Sequence, residues 1–258
     1  MIDLKKARKY FKEYTDSFKN QDLKGFNLKI THTYQVINNI KIISKNLNLS
    51  KEDQQLAELI ALLHDIGRFN ELVITKKFDN NNFNHALYGS NLLFEDKLIR
   101  NFIEDNKYDY IIKFAIENHN KLAIEKTSNE KELLFAKLIR DADKIDIYRV
   151  NKELPLNEIY PEIIDSNKDI EDSYISDEVY NSIRNRKCVV TSDRKYPLDY
   201  LLCCLAFIFD INYTETINII KDHNYINELI DRFNYTSEET KNKMKEIKTI
   251  FNKYLELK

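Results

Sequence analysis

An all-α fold is predicted by three observations. Turn formers are scarce: 258 residues contain only three Gly and three Pro, too few to punctuate the many short strands of a β fold. Apolar residues recur at steps of three and four along most of the chain, the period of an amphipathic helix. Capping residues stand where several of these stripes begin, as Ser50 and Asn84 do.

Taken in order, residues 3–19 form a charged amphipathic helix that packs Tyr10, Phe11, Tyr14 and Phe18, and Gly25 breaks the pattern. A second helix runs from about Leu28 to Leu47 on the stripe Val36, Ile40, Ile43, Leu47. Carried back four residues, that stripe meets His32, so His32 lies on the buried face. Ser50 caps a third helix with Asp53 at its third position. Leu56, Leu59, Ile60 and Leu63 form the inner face, and the helix ends at His64-Asp65-Ile66-Gly67, where the glycine ends the regular pattern. Residues 68–83 read as a polar, Asn-rich loop carrying Arg68, Phe69, Lys76, Lys77, Phe78 and Phe83, of a kind that covers a site.

Asn84 caps a fourth helix with His85, Gly89 and Leu92 on one side, and Gly89 lets a neighbour approach closely. Further helices are expected at about 96–105, 109–118 and 130–149. On the second of these, Ile112, Ala115 and Ile116 lead to His119; on the third, Ala136, Ile139, Asp143 and Ile147 share a face. After Val150 a polar, acidic segment with Pro155 and Pro161 reaches about Ser176. Helical patterns return near 177–186, 197–210, 214–232 and 237–256, with Pro197 at a first helical position and Thr236 with Glu239 as a capping box. No linker rich in Gly or Ser interrupts the chain. The expectation is a single all-helical domain over 1–258, with its core at about 28–150 and a C-terminal helical extension over about 151–258.

Composition excludes several classes of function. Apolar residues make up 43% of the chain, enough for a substantial core, while 40 basic against 42 acidic residues leave a formal charge of −2. No global field draws the chain to nucleic acid or an anionic membrane, so neither stable nucleic-acid binding nor membrane attachment is expected. The greasiest stretch, Leu198 to Ile211, is too short to span a bilayer. Cys188, Cys203 and Cys204 are odd in number and lack Cys-x-x-Cys spacing, which fits a reduced compartment and no structural zinc. With no apolar leader after Met1, the expected location is the cytoplasm. Over-use of Lys, Asn and Ile reads as the codon bias of an AT-rich, bacterial genome.

The chemistry lies in the histidines. Four of the five in the chain, His32, His64, His85 and His119, sit on apolar faces or at helix ends. A lone histidine there is more often a satisfied core residue than a ligand; recurrence on successive helices changes that balance. With Asp65 and a carboxylate on the helix at 130–149 they make six donors. Helical spacing permits either Asp141 or Asp143 as the sixth. Imidazole with carboxylate suits a divalent transition metal, Fe, Mn, Co, Ni or Zn. Six donors exceed one tetrahedral ion and suit two ions sharing a bridging carboxylate, which His64-Asp65 places at Asp65. A metal pair can activate water and clamp a phosphoryl group.

The ordered motifs Thr31-His32-Thr33, Leu63-His64-Asp65-Ile66-Gly67, Asn84-His85-Ala86, Asn118-His119-Asn120 and Asp141-Ala142-Asp143-Lys144 resemble the HD-domain superfamily of metal-dependent phosphohydrolases, over about residues 28–150. The resemblance selects Asp143 over Asp141, because Ala-Asp-Lys matches the last family motif. The two intermediate histidines are similar to those of the binuclear branch. What the resemblance implies is an HD-domain helical bundle in which His32, His64, Asp65, His85, His119 and Asp143 hold metal. His64 and Asp65 are catalytic through the metal. A metal-bound hydroxide hydrolyses a phosphomonoester or phosphodiester of a small nucleotide or other phosphorylated metabolite. Arg68 and Lys144 stand where relatives carry cations near the substrate phosphate. The Gly-Tyr-Pro motif of one cyclic-di-GMP phosphodiesterase branch is absent, as is any P-loop. Two other activities stay open: a di-iron oxygenase of the same ligand set, and a non-catalytic regulatory binding protein. A homo-oligomer is equally open.

Overall fold

The computed structural model describes residues 2–19, 25–77 and 82–258. Every regular element among them is helical, so the all-α class is as the sequence predicts. The chain divides into two compact units, Met1–Asp143 and Lys144–Lys258.

The first unit contains α1 (Leu4–Asp16), α2 (Phe26–Asn46), α3 (Lys51–Leu63), α4 (Ile66–Thr75), α5 (His85–Phe94), a 3₁₀ turn at Leu98–Asn101, α6 (Asp109–Asn118) and the first part of α7 (Glu130–Glu153). The caps act as read. Ser50 Oγ accepts from the Asp53 amide at 3.1 Å and Asn84 Oδ1 from that of Leu87 at 3.1 Å, each satisfying an amide that the first turn leaves open. Val36, Ile40 and Ile43 of α2 and Leu56, Leu59, Ile60 and Leu63 of α3 are fully buried, and these two helices pack on each other. Burial of this kind is worth roughly 1.5–3 kcal/mol per side chain.

Two expected elements differ. The segment 68–83 is not a loop throughout: α4 occupies Ile66–Thr75. Gly67 therefore does not end the helical pattern. Only the turn His64-Asp65 separates α3 from α4. The reason is packing. Ile66, Phe69 and Leu72 form a short buried stripe, and Phe69 sits among Phe11, Tyr14, Phe18 and Phe26 with ring centroids 5.6–6.2 Å away. Gly67 lies against α5 so closely that a Cβ there would stand 2.2 Å from the His85 carbonyl oxygen and 2.8 Å from the Gly89 amide. Gly89 thus does admit a close neighbour. Phe78 lies outside the described residues. The helix expected at 96–105 shrinks to the 3₁₀ turn Leu98–Asn101. Arg100 takes over its last carbonyls, donating to those of Glu104 (3.1 Å) and Asp105, so the chain wraps its guanidinium rather than continuing a helix.

The second unit continues α7 and adds α8 (Leu156–Ile159), α9 (Asn167–Glu171), α10 (Asp177–Arg184), α11 (Pro197–Leu205), α12 (Thr214–Asp222), α13 (Tyr225–Ile230) and α14 (Glu238–Glu256), with a 3₁₀ turn at Ala206–Asp210 after α11. Leu198, Leu201, Leu202, Leu229, Ile247 and Phe251 are fully buried there. The helix expected at 214–232 is broken at Asn224, which takes the left-handed conformation (φ 50°) that Asn tolerates. Ser237, not Thr236, caps α14, while Thr236 Oγ1 donates to Asp172 at 2.8 Å. Among the described residues, Cys188, Cys203 and Cys204 form no disulfide. Among the described residues, no helix is long and apolar enough to cross a membrane.

Candidate metal centre

Five elements of the first unit converge on one buried cluster. His32 comes from the middle of α2, His64 and Asp65 from the α3–α4 turn, His85 from the first turn of α5, His119 from just past α6 and Asp143 from α7. All six lie in two groups whose donor atoms can each hold a metal ion: His32, His64 and Asp143 in one, Asp65, His85 and His119 in the other. Within each group the donor atoms lie within 4.8 Å of one another.

Asp65 joins the groups through its two oxygens. Oδ2 stands 3.7 Å from the Nε2 atoms of both His32 and His64, while Oδ1 stands 3.4 Å from His85 Nε2 and 3.5 Å from His119 Nε2. His32 Nε2 also reaches Asp143 Oδ1 at 3.0 Å, and the Nε2 atoms of His85 and His119 are 3.1 Å apart. Nitrogens and carboxylate oxygens gathered this closely in a buried site are a donor set that fits a shared cation.

The ring orientations are set locally. His64 Nδ1 donates to the Ala61 carbonyl at 2.8 Å and His119 Nδ1 to that of Ile116 at 2.6 Å, each three residues back on its own helix. A carbonyl only accepts, so the proton is fixed on Nδ1 and Nε2 keeps its lone pair for the cluster. His64 Nε2 is fully buried and has no hydrogen-bond partner. A buried acceptor left unmatched costs free energy, and a metal ion is the partner the neighbouring donors fit. Burial pushes the His64 imidazole down to about 4, outweighing the attraction of Asp65 and Asp143. Burial first and then the Arg68 charge lower His85 as well. Both rings are therefore neutral at pH 7, the form that binds metal. Burial opposes ionisation of Asp65, but Lys29, His64, His119 and Arg68 together hold its carboxyl well below the usual range. At Asp143 burial is likewise overcome by the contact with His32, and the carboxyl stays ionised.

The two cations singled out in the sequence are placed differently. Arg68, on α4, is 9% exposed, with Nε 3.6 Å from Asp65 Oδ1 and Nη1 donating to Glu71 at 2.7 Å. Lys144 begins the second unit and pairs with Asp210 at 2.6 Å.

Three further residues shape the cluster, and none stands out in the sequence. Lys29 of α2 places Nζ 3.1 Å from Asp65 Oδ2. Glu71, fully buried, holds Arg68. Arg140 of α7, 3% exposed, donates to the carbonyls of Asn118 (2.8 Å), His119 (3.3 Å), Lys121 (2.5 Å) and Leu122 (3.3 Å), fixing the chain at His119 from the helix that carries Asp143. The signal available in the sequence is spacing: Lys29 precedes His32, Glu71 follows Arg68 and Arg140 precedes Asp143 by three residues in each case, one helical turn.

Residues 30–148 match the family model described as HD domain. That segment is an HD domain. No curated protein and no solved structure matches it. The HD domain spans the whole cluster, from two residues before His32 to five beyond Asp143. It is an all-α, metal-dependent hydrolase-like fold that binds divalent metals, and the paired His/Asp groups are where this chain can hold them.

Proposed function

We propose that this HD domain is a phosphohydrolase that holds two divalent transition-metal ions and cleaves a phosphate ester of a small nucleotide or another phosphorylated metabolite. The observation that carries this is Asp65, whose two oxygens face different histidine pairs, as a carboxylate shared by two ions must. His32, His64 and Asp143 would hold one ion, and His85 and His119 the other. Such a pair would supply Lewis acidity and lower the pKa of a bound water, the chemistry that phosphate-ester hydrolysis needs.

The protein's own residues orient the donors and the substrate. The Nδ1 bonds of His64 and His119 fix the tautomer that presents Nε2. Arg68 offers a guanidinium beside Asp65, held by buried Glu71, and neutralises charge spreading over the phosphoryl oxygens. Arg68 is the phosphate contact in this reading because its Nε stands 3.6 Å from Asp65 Oδ1, whereas Lys144 is placed against Asp210. Phosphomonoesters and phosphodiesters both suit this chemistry.

The test is to purify the chain, measure its metals, and screen phosphate esters with Mn, Co, Ni and Fe added. Phosphate release that depends on added metal is expected. Oxygen consumption without phosphate release would make the site an oxygenase instead.

A further inference from the structure

The donors of the two groups stand on unequal supports. His32 lies in the middle of α2 and Asp143 inside α7, where regular helix backbone fixes each side chain's origin. His119 lies just past the last residue of α6, where that backbone bonding stops. From there the chain has no regular element until α7 begins at Glu130. A histidine so placed needs other ties if its Nε2 is to stand 3.1 Å from that of His85.

Asn118, the last residue of α6, supplies such a tie. Its side chain is fully buried, and both ends of its amide are used. Nδ2 donates to the Phe114 carbonyl, one turn back on α6, at 2.9 Å. Oδ1 accepts from the Glu125 amide, also at 2.9 Å. The second bond closes residues 118–125 into a loop that contains His119. The four carbonyls that converge on the Arg140 guanidinium, those of Asn118, His119, Lys121 and Leu122, all lie within it. Arg140 therefore holds the loop from inside, and the Asn118 amide joins its ends. Asparagine suits this position because one short side chain must both donate and accept. Aspartate keeps only the acceptor, and leucine, of similar shape, keeps neither.

We propose that Asn118 is a positioning residue for His119. By closing the 118–125 loop it sets the imidazole beside His85, and so sets how tightly the ion of the Asp65, His85 and His119 group is held. This rests on the pair of ions proposed above and deepens it. Asn118 is not itself a ligand, since backbone groups take up both ends of its amide. It acts through the backbone of its neighbour, as the outer supports of metal ligands do.

The test uses the full chain loaded with manganese. Metal per chain is measured by elemental analysis, affinity by chelator competition, and folding by denaturant melts. In Asn118→Leu one ion should bind about 10–100-fold more weakly, the scale of a lost outer support, while the other keeps its wild-type affinity. Glu125→Pro removes the same bond from its other end, without altering α6, and should give the same selective loss; it carries the test if Asn118→Leu does not fold. Glu125→Ala keeps the amide and should hold both ions. Added to His85→Ala, which already weakens that ion, Asn118→Leu should cost no further metal. Wild-type affinity for both ions in Asn118→Leu and Glu125→Pro would overturn the proposal. So would an equal weakening of both ions, or further loss in the double variant, either of which would make Asn118 a general packing residue. His119→Ala separates the two levels: if it holds as many ions as the wild type, the pair of ions itself is wrong. If it loses one ion while Asn118→Leu and Glu125→Pro keep both, only the role of Asn118 falls.

Discussion

Each unit of this chain buries a carboxylate, and the two are treated in opposite ways. Asp199, at the start of α11 and fully buried, is closed off by donors from its own surroundings: the Ser176 amide at 3.0 Å, the Ser176 hydroxyl, and the Lys195 and Tyr196 amides, both at 2.9 Å. It fastens the N-termini of α10 and α11, and both of its oxygens accept hydrogen bonds. Asp65 is 4% exposed and faces four histidine nitrogens at 3.4–3.7 Å, beyond good hydrogen-bonding distance, with the Lys29 ammonium closer. A carboxylate surrounded by donor hydrogens is a structural tie. One surrounded by other lone pairs is an electrostatic problem that a cation resolves.

Replacing each carboxylate separates the two roles. Asp65→Ala should lose both bound metal and metal-dependent activity, while the metal-free variant melts close to the metal-free wild type. Retained metal in that variant would make Asp65 no different from Asp199. Asp199→Ala should do the reverse, lowering stability by about 3–5 kcal/mol, the scale of leaving several buried donors unmatched, with metal per folded chain unchanged; denaturant melts and elemental analysis read the two effects.

Acid sharpens the contrast in the metal-free protein. His64 has a folded pKa near 4 against an unfolded value of about 6.5. Between those values the unfolded chain binds the extra proton, so stability falls as pH drops through that window, by about 3 kcal/mol from this ring. Burial shifts His85 the same way. The carboxyls of Asp65 and Asp143 lie below their usual range, so they add a loss only as pH falls further. Denaturant melts at pH 7 and pH 4.5 measure this, and a flat profile would mean the rings are solvated. A smaller effect is expected at Arg140. Arg140→Lys keeps the charge but cannot fork across four carbonyls, and metal affinity measured by chelator competition should fall about 10–100-fold.

What the sequence made legible followed the length and regularity of its patterns. His32 could be placed inside because α2 carries a long stripe in register with it. His85 and His119 could be placed by a cap and a short run. Segment 66–75 looks like loop in sequence because its stripe of Ile66, Phe69 and Leu72 is short and is interleaved with Arg68, Asn70 and Glu71. Two of those charges are buried against each other, a pairing that hydropathy cannot express. Lys29 and Arg140 look like solvated helix charges for the same reason: what draws them inward is a carboxylate and a set of carbonyls from distant parts of the chain.

The central claim is that Asp65 bridges two ions, one of them held by His85 and His119. Elemental analysis of purified wild type beside His85→Ala tests it most directly. About two ions per chain should fall to about one, with the group of His32, His64 and Asp143 still loaded. The same metal-to-protein ratio in both proteins would contradict it.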